Sequence, residues 1–183
     1  MAFLVGPRSS EDEQGTDETD IMIGHEGSDF MFGGGGNDLL FGGAGDDIML
    51  GGAGNDILIG GTGDNYMDGG TGNDILISGA GVDTMDGGEG TDVFFMGAGD
   101  IATGGAGADV FYFRIQEAGD ITVTDFNPEE GDRMVIRAPD DLEWSVSEDL
   151  GKTVVTFEDG LSLTLAGVTA EEVLEDPGLF GLG

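Results

Sequence analysis

The residues with chemistry in this chain are aspartates that return on a fixed beat. Asp20, Asp29, Asp38, Asp47 and Asp56 stand nine residues apart; Asn65 takes the next place, and Asp74, Asp83 and Asp92 resume the series. Asp100 and Asp109 close it after one residue is lost. Carboxylates in such number suit proton transfer or the binding of a hard cation. Adjacent acids such as Asp46 and Asp47 resemble the carboxylate pair of a glycosidase. They lie, however, in a glycine-rich turn that simply recurs, and the chain has neither an HExxH nor a GxSxG arrangement. It has one histidine, His25, and no cysteine, so imidazole clusters, thiolate sites and disulfides are excluded. Oxygen ligands in a pliable turn suit Ca2+ better than Mg2+ or Zn2+. The expectation is a non-catalytic chain that binds several calcium ions.

Aspartates so spaced need an element of the same period. Written nine residues to a line from Gly15, the chain reads GTDETDIMI, GHEGSDFMF, GGGGNDLLF, GGAGDDIML, GGAGNDILI, GGTGDNYMD, GGTGNDILI, SGAGVDTMD and GGEGTDVFF. The shortened MGAGDIAT and then GGAGADVFY follow, ending at Tyr112. Positions one to six are small or polar and approach GG-x-G, which predicts a tight turn. Positions seven to nine are mostly Ile, Leu, Phe, Met or Val, which predicts a three-residue strand. Position eight alternates between methionine (Met31, Met49, Met67, Met85) and Leu40, Leu58, Leu76 and Phe94. That second-order period of eighteen residues predicts two facing sheets, one nonapeptide on each side of a coil, with position eight pointing inward.

Charge sharpens the case for a cation. The chain carries 38 acidic and five basic residues, a formal net charge of −33, and residues 9–113 contain no Lys or Arg. This excludes nucleic acid as a partner and argues against an anionic membrane surface. Coils stacked about 4.8 Å apart bring same-side carboxylates to roughly 5 Å. At an effective dielectric of about 20, each neighbouring pair then repels by about 3 kcal/mol. Several such terms match a domain's whole stability of about 5–15 kcal/mol. A cation between the turns is therefore expected.

The tract resembles the GGxGxDxUx nonapeptides of RTX (repeats-in-toxin) hemolysin-type calcium-binding proteins, most plainly at GGGGNDLLF, GGAGDDIML, GGAGNDILI and GGTGNDILI. The resemblance implies an all-β fold, a parallel β-roll (a right-handed calcium-binding solenoid of eighteen residues per coil) with a small C-terminal β-rich cap. It further implies Ca2+ between turns eighteen residues apart, one row along each edge. The earlier turn gives carbonyls of positions two and four plus its Asp; the later turn gives carbonyls of positions one and three plus its Asp. Carried onto this chain, one site comprises Gly34, Gly36, Asp38, Gly51, Ala53 and Asp56. The next three in that row comprise Gly52, Gly54, Asp56, Gly69, Thr71 and Asp74; Gly70, Gly72, Asp74, Gly87, Glu89 and Asp92; and Gly88, Gly90, Asp92, Gly104, Ala106 and Asp109. The opposite row comprises His25, Gly27, Asp29, Gly42, Ala44 and Asp47, then Gly43, Gly45, Asp47, Gly60, Thr62 and Asn65, and continues to Asp83. Asn65 departs from the motif and weakens the sites it shares with Asp47 and Asp83. The short line at 96–103 interrupts the same edge.

Three segments are expected: a lead-in or cap at 1–14, the roll at 15–112, and a capping segment at 113–183. In the last, residues 142–165 alternate as a small antiparallel meander. Thr169 and Glu172 form a capping box opening a short helix that stops at Pro177-Gly178. Asp120, Asp125 and Asp132 read as turn acids or a further ion site, and Trp144 as core or cap packing. No apolar run approaches a membrane span, and MAFLVGPRSS lacks a cleavable signal's basic start. The ending GLFGLG resembles an uncleaved type I secretion signal, which implies an extracellular protein and the type I secretion machinery as a partner. On odd lines, Ile21, Ile23, Leu39, Phe41, Ile57, Ile59, Ile75, Ile77, Val93 and Phe95 form an apolar outer face. That face should be covered by the C-terminal flank or by a second copy in a homo-oligomer. The function expected is a secreted, calcium-folded structural or binding module. The alternatives are an accessory module of a secreted protease, lipase or polysaccharide epimerase, and an adhesive or carbohydrate-binding surface, although no aromatic sugar platform is evident.

Overall fold

The computed structural model describes residues 1, 3–5, 12–114, 119–137, 144–149, 151–157, 161–175 and 180–182. Numbered in chain order, the strands alternate between two sheets. The first holds β1 (Phe3–Val5), β3 (Ile21–Glu26), β5 (Leu39–Ala44), β7 (Ile57–Thr62), β9 (Ile75–Ala80), β11 (Val93–Met96), β13 (Val110–Arg114), β15 (Arg133–Arg137) and β19 (Phe180–Leu182), side by side in that order. The second runs β2 (Asp12–Gln14), β4 (Phe30–Gly35), β6 (Ile48–Ala53), β8 (Tyr66–Thr71), β10 (Thr84–Glu89), β12 (Ile101–Ala106) and β14 (Asp120–Val123). It continues through β18 (Ser162–Leu165), β17 (Lys152–Phe157) and β16 (Trp144–Asp149). Repeat strands pair in parallel with an eighteen-residue offset, for example Leu58 with Leu76 and Met49 with Met67. The chain is an all-β parallel roll of two nonapeptides per coil.

Position eight fills the interior as expected. Met22, Met31, Leu40, Met49, Leu58, Met67, Leu76, Met85 and Phe94 are fully buried. Near the C-terminal end the first sheet carries Phe94 stacked on Phe111 at 4.8 Å, while the second sheet narrows to Ala102. This large-for-small exchange keeps a thin core dense.

The strands are longer than the sequence predicts. β3 to β10 and β12 each cover six residues, positions seven to nine and the first three of the next line, as in Ile48–Ala53. The turn is confined to positions four to six. The cause is the position-two glycine: at φ 108° for Gly52 and 98° for Gly70 it bends the chain, yet the two residues still pair. Only a residue without Cβ adopts this cheaply. His25 holds the same place at φ 80°, the only non-glycine residue at positive φ among those described, and its side chain is exposed.

Beyond Tyr112 both sheets simply continue. β16, β17 and β18 form the expected antiparallel meander, which joins the roll through the parallel pairing of β18 with β14. The short helix α1 (Ala170–Glu175) opens on a reciprocal capping box, Glu172 N–H to Thr169 Oγ1 at 3.2 Å and Thr169 N–H to Glu172 Oε2 at 2.7 Å. The expected helix stop at Pro177-Gly178 and the Trp144 side chain lie outside the described residues. Among the described residues the flank does not lie over the apolar face. Ile57 and Phe95 remain 36% and 42% exposed. The open main-chain edge at the end of the roll is the stronger claim on the flank, because its N–H and C=O groups would otherwise go unpaired. No described helix is long and apolar enough to cross a membrane.

Candidate metal centre

Position six precedes each strand, so the aspartates stack in two rows along the edges of the roll. Each is held by the main chain of the coil before it. On the first edge the N–H of Asp20 donates to Asp38 Oδ1 at 2.7 Å, Asp38 to Asp56 at 2.6 Å, Asp56 to Asp74 and Asp74 to Asp92 at 2.7 Å, and Asp92 to Asp109 at 2.8 Å. On the second edge Asp29 donates to Asp47 at 2.9 Å, Asp47 to Asn65 at 3.0 Å, Asn65 to Asp83 at 2.8 Å and Asp83 to Asp100 at 2.9 Å. One carboxylate oxygen is thereby fixed in orientation.

The other oxygen distinguishes the sites. Oδ2 of Asp38, Asp47, Asp56, Asp74, Asp83, Asp92 and Asp109 is buried and accepts no hydrogen bond. A buried carboxylate oxygen without a donor costs several kcal/mol unless a cation meets it. The glycines at position one leave room beside it. A Cβ on Gly33 would lie 2.5 Å from Asp38 Oδ2 and 2.6 Å from the Gly51 carbonyl oxygen. One on Gly51 would lie 2.5 Å from Asp56 Oδ2 and 2.7 Å from the Gly69 oxygen. Gly42, Gly69 and Gly87 have the same place beside Asp47, Asp74 and Asp92, whereas at Gly104, beside Asp109 Oδ2, the Phe111 ring stands where the carbonyl would be. A carboxylate oxygen and a carbonyl oxygen thus converge on one cradle with no donor between them, a set of hard ligands that fits Ca2+.

The remaining carbonyls are partly engaged. Those at position three, Ala44, Ala53, Thr62, Thr71, Glu89 and Ala106, each accept the N–H of position four in the coil before, at 2.7–2.8 Å. Each keeps a second lone pair. Those at positions two and four stack along the edge. The Gly36 oxygen lies where a Cβ on Gly54 would fall, and the Gly34 oxygen where one on Gly52 would. Among the described residues no three carboxylate or imidazole side chains gather at one point, so main-chain oxygens are indispensable to any ion site here.

Burial pushes the carboxyls of Asp47, Asp56 and Asp109 up to about 6 and that of Asp92 up to about 7, against the lowering effect of the ladder N–H. Neighbouring acids add to the rise. Desolvation, more than the mutual repulsion considered from the sequence, is the leading electrostatic cost of these rows.

Three features escaped the sequence reading. Asp132 joins the first row, accepting the N–H of Asp109 at 2.9 Å, although twenty-three residues separate them. Its Oδ2 accepts the Asn127 N–H at 2.8 Å, so it is satisfied without an ion. The start of the first row and the end of the second are closed in the same way: Asp20 Oδ2 accepts Thr16 N–H and Oγ1–H, and Asp100 Oδ2 accepts Gly97 N–H. Position five makes a second, exposed ladder, with Asn55 N–H on Asn37 Oδ1 at 2.9 Å and Asn73 N–H on Asn55 Oδ1 at 2.8 Å. The recurrence of Asn and Asp at that position was its signal. Asp125 caps the N–H groups of Gly104 and Gly105, and Asp120 bonds the Ser162 hydroxyl.

The family model for the RTX calcium-binding nonapeptide repeat (four copies) matches residues 14–49, 23–58, 41–76, 59–94 and 97–112, more than half of the chain. No curated protein matches it. Among solved structures, the extracellular lipase LipA from Serratia marcescens is similar at 17% identity and a TM-score of 0.39, over 99% of this chain and 40% of the lipase. The AlgE6R3 subunit from the Azotobacter vinelandii mannuronan C5-epimerase is similar at 21% identity and a TM-score of 0.26, over 91% of this chain and 78% of that subunit. The chain thus spans less than half the length of the lipase, and neither likeness is close enough to transfer a function. The repeat match, the eighteen-residue coil and the two carboxylate rows together place the chain in the family of RTX calcium-binding nonapeptide repeat proteins.

Proposed function

We propose that this chain is a secreted, non-catalytic structural or binding module whose roll is completed by calcium outside the cell. The row of buried Oδ2 atoms without donors carries this reading. Bound at the cradles, Ca2+ would supply the positive charge that offsets burial of these carboxylates. The chain's own part is to present them: the N–H ladder orients each carboxylate, the position-one glycines keep the cradle open, and the buried Met and Leu rows hold the coils in register. Ligands that bind the folded roll and not the open chain add their binding free energy to folding. In a calcium-poor cytosol the chain would stay open and exportable, with the C-terminal residues addressing it to a type I exporter; millimolar calcium outside would fold it. Far-UV circular dichroism tests the linkage: the β signal should appear on adding calcium and vanish with EDTA. An EDTA-insensitive signal would overturn the reading.

The bare odd-line face supports weak self-association rather than a tight dimer. Five strands about 4.8 Å apart make a strip roughly 24 Å long and about 10 Å wide. Two such strips bury well under the roughly 1,200 Å² of a stable interface. Light scattering in calcium should show a dimer only at high concentration, abolished by Phe95→Asp; association that survives this change would exclude the face.

A further inference from the structure

We infer that the joint between the coils at Gly60, Asn65 and Ser78 takes no cation, and that the side-chain amide of Asn65 holds the coils together in its place. The inference rests on the calcium reading of the other cradles. Asn65 Oδ1 accepts the N–H of Asp47 at 3.0 Å, the bond each aspartate of the ladder accepts. Because that partner is a donor, the atom it meets must be the amide oxygen, and the NH2 group occupies the place of Oδ2. There Nδ2 donates to Asp83 Oδ1 at 2.9 Å and to the Gly63 carbonyl at 3.2 Å. These are oxygens of the two kinds an ion would need at this joint, the later coil's aspartate and a position-four carbonyl. Both are already engaged.

The cradle itself changes sign. A Cβ on Gly60 would meet the Ser78 carbonyl oxygen and, at 2.8 Å, Asn65 Nδ2. The corresponding neighbour of Gly33 or Gly51 is a carboxylate oxygen without a donor. An amide NH2 has only donors to offer, so it repels a cation, and it spends those donors on the Gly63 carbonyl and Asp83 Oδ1 instead. Asp83 Oδ2 belongs, by the repeat geometry, to the next joint along the edge. There Ser78, 2% exposed, replaces the position-one glycine, and its hydroxyl bonds Asp100. The two edges therefore differ: the first presents an unbroken series of cradles from Asp38 to Asp92, whereas the second is interrupted at Asn65.

Native mass spectrometry of the full chain in calcium, with circular dichroism to confirm folding, tests this by counting ions. Asn65→Asp should add one ion, whereas the same exchange reversed on the first edge, Asp74→Asn, should remove at least one. A folded Asn65→Asp protein with an unchanged count overturns the inference. A wild-type chain that folds and binds no calcium overturns the calcium reading, and the inference with it. Should Asn65→Asp fail to fold, anomalous diffraction from wild-type crystals soaked in terbium decides: a peak beside Gly60 and Asn65 refutes the inference, and peaks beside Gly33 and Gly51 with none beside Gly60 support it.

Discussion

Asp56 in the middle of the roll and Asp132 in the flank occupy the same ladder yet rely on different partners. Each accepts the N–H of the preceding coil's aspartate on Oδ1, from Asp38 at 2.6 Å and from Asp109 at 2.9 Å. Asp56 Oδ2 then has no donor, while Asp132 Oδ2 is held by Asn127 N–H. One motif thus serves two regimes. The repeats leave a charge for something outside the chain to meet, and the flank closes its own. The roll should consequently depend on calcium much more than the strands that end it.

The largest test of that contrast is metal removal. With EDTA, hydrogen exchange should lose its protection across β5 to β11, while the antiparallel pairs β16–β17 and β17–β18 retain more; uniform loss would erase the distinction. Next come the two aspartates. In saturating calcium, Asp56→Ala should destabilise by about 3–5 kcal/mol in urea unfolding, as expected for removing one member of a buried charge pair. Asp132→Ala should cost about 1–3 kcal/mol, the loss of hydrogen bonds alone, and its penalty should be the same in low as in saturating calcium, whereas that of Asp56→Ala should shrink as calcium falls. Equal penalties in both conditions would show that the two sites work alike.

Acidity acts on both regions in the same direction, since burial raises the Asp132 carboxyl as well. Burial raises Asp56 to about 6 and Asp92 to about 7 from the ordinary 3.8, so the metal-free folded roll binds protons that the open chain releases. Their contribution is fully present below about pH 4 and is lost as pH rises through 6 to 7. The metal-free roll should therefore show its strongest β signal in acid and lose it toward neutrality, the opposite of ordinary acid denaturation; a signal independent of pH over that range would contradict the burial. The smallest effect lies farthest from the ions. Thr169→Ala should cost about 1 kcal/mol through the lost helix cap, with calcium affinity unchanged by titration.

Much of this was readable because a repeat writes its geometry many times over. The alternation of Met31, Met49 and Met67 against Leu40, Leu58 and Leu76 implied two facing sheets with position eight inside, and the burial of these side chains agrees. The aspartate beat implied the two rows. Strand length was misjudged because Gly-Gly looks like a turn in isolation, whereas paired to its copy one coil away, as Gly52 is to Gly70, it remains in the ladder. From the sequence Asp132 reads as a turn acid or part of a further ion site, because the longer connection through Asn127 to Gly131 hides its register.

Period, coil length, the direction of position eight and the donor chemistry follow from the sequence alone, since each depends on local residue preferences that the repeats average. Which carboxylate oxygen is engaged, which cradle is taken by an amide, and where the flank docks were decided only by the tertiary structure. Those outcomes depend on partners eighteen or more residues away, placed by strand pairing at the scale of a single hydrogen bond.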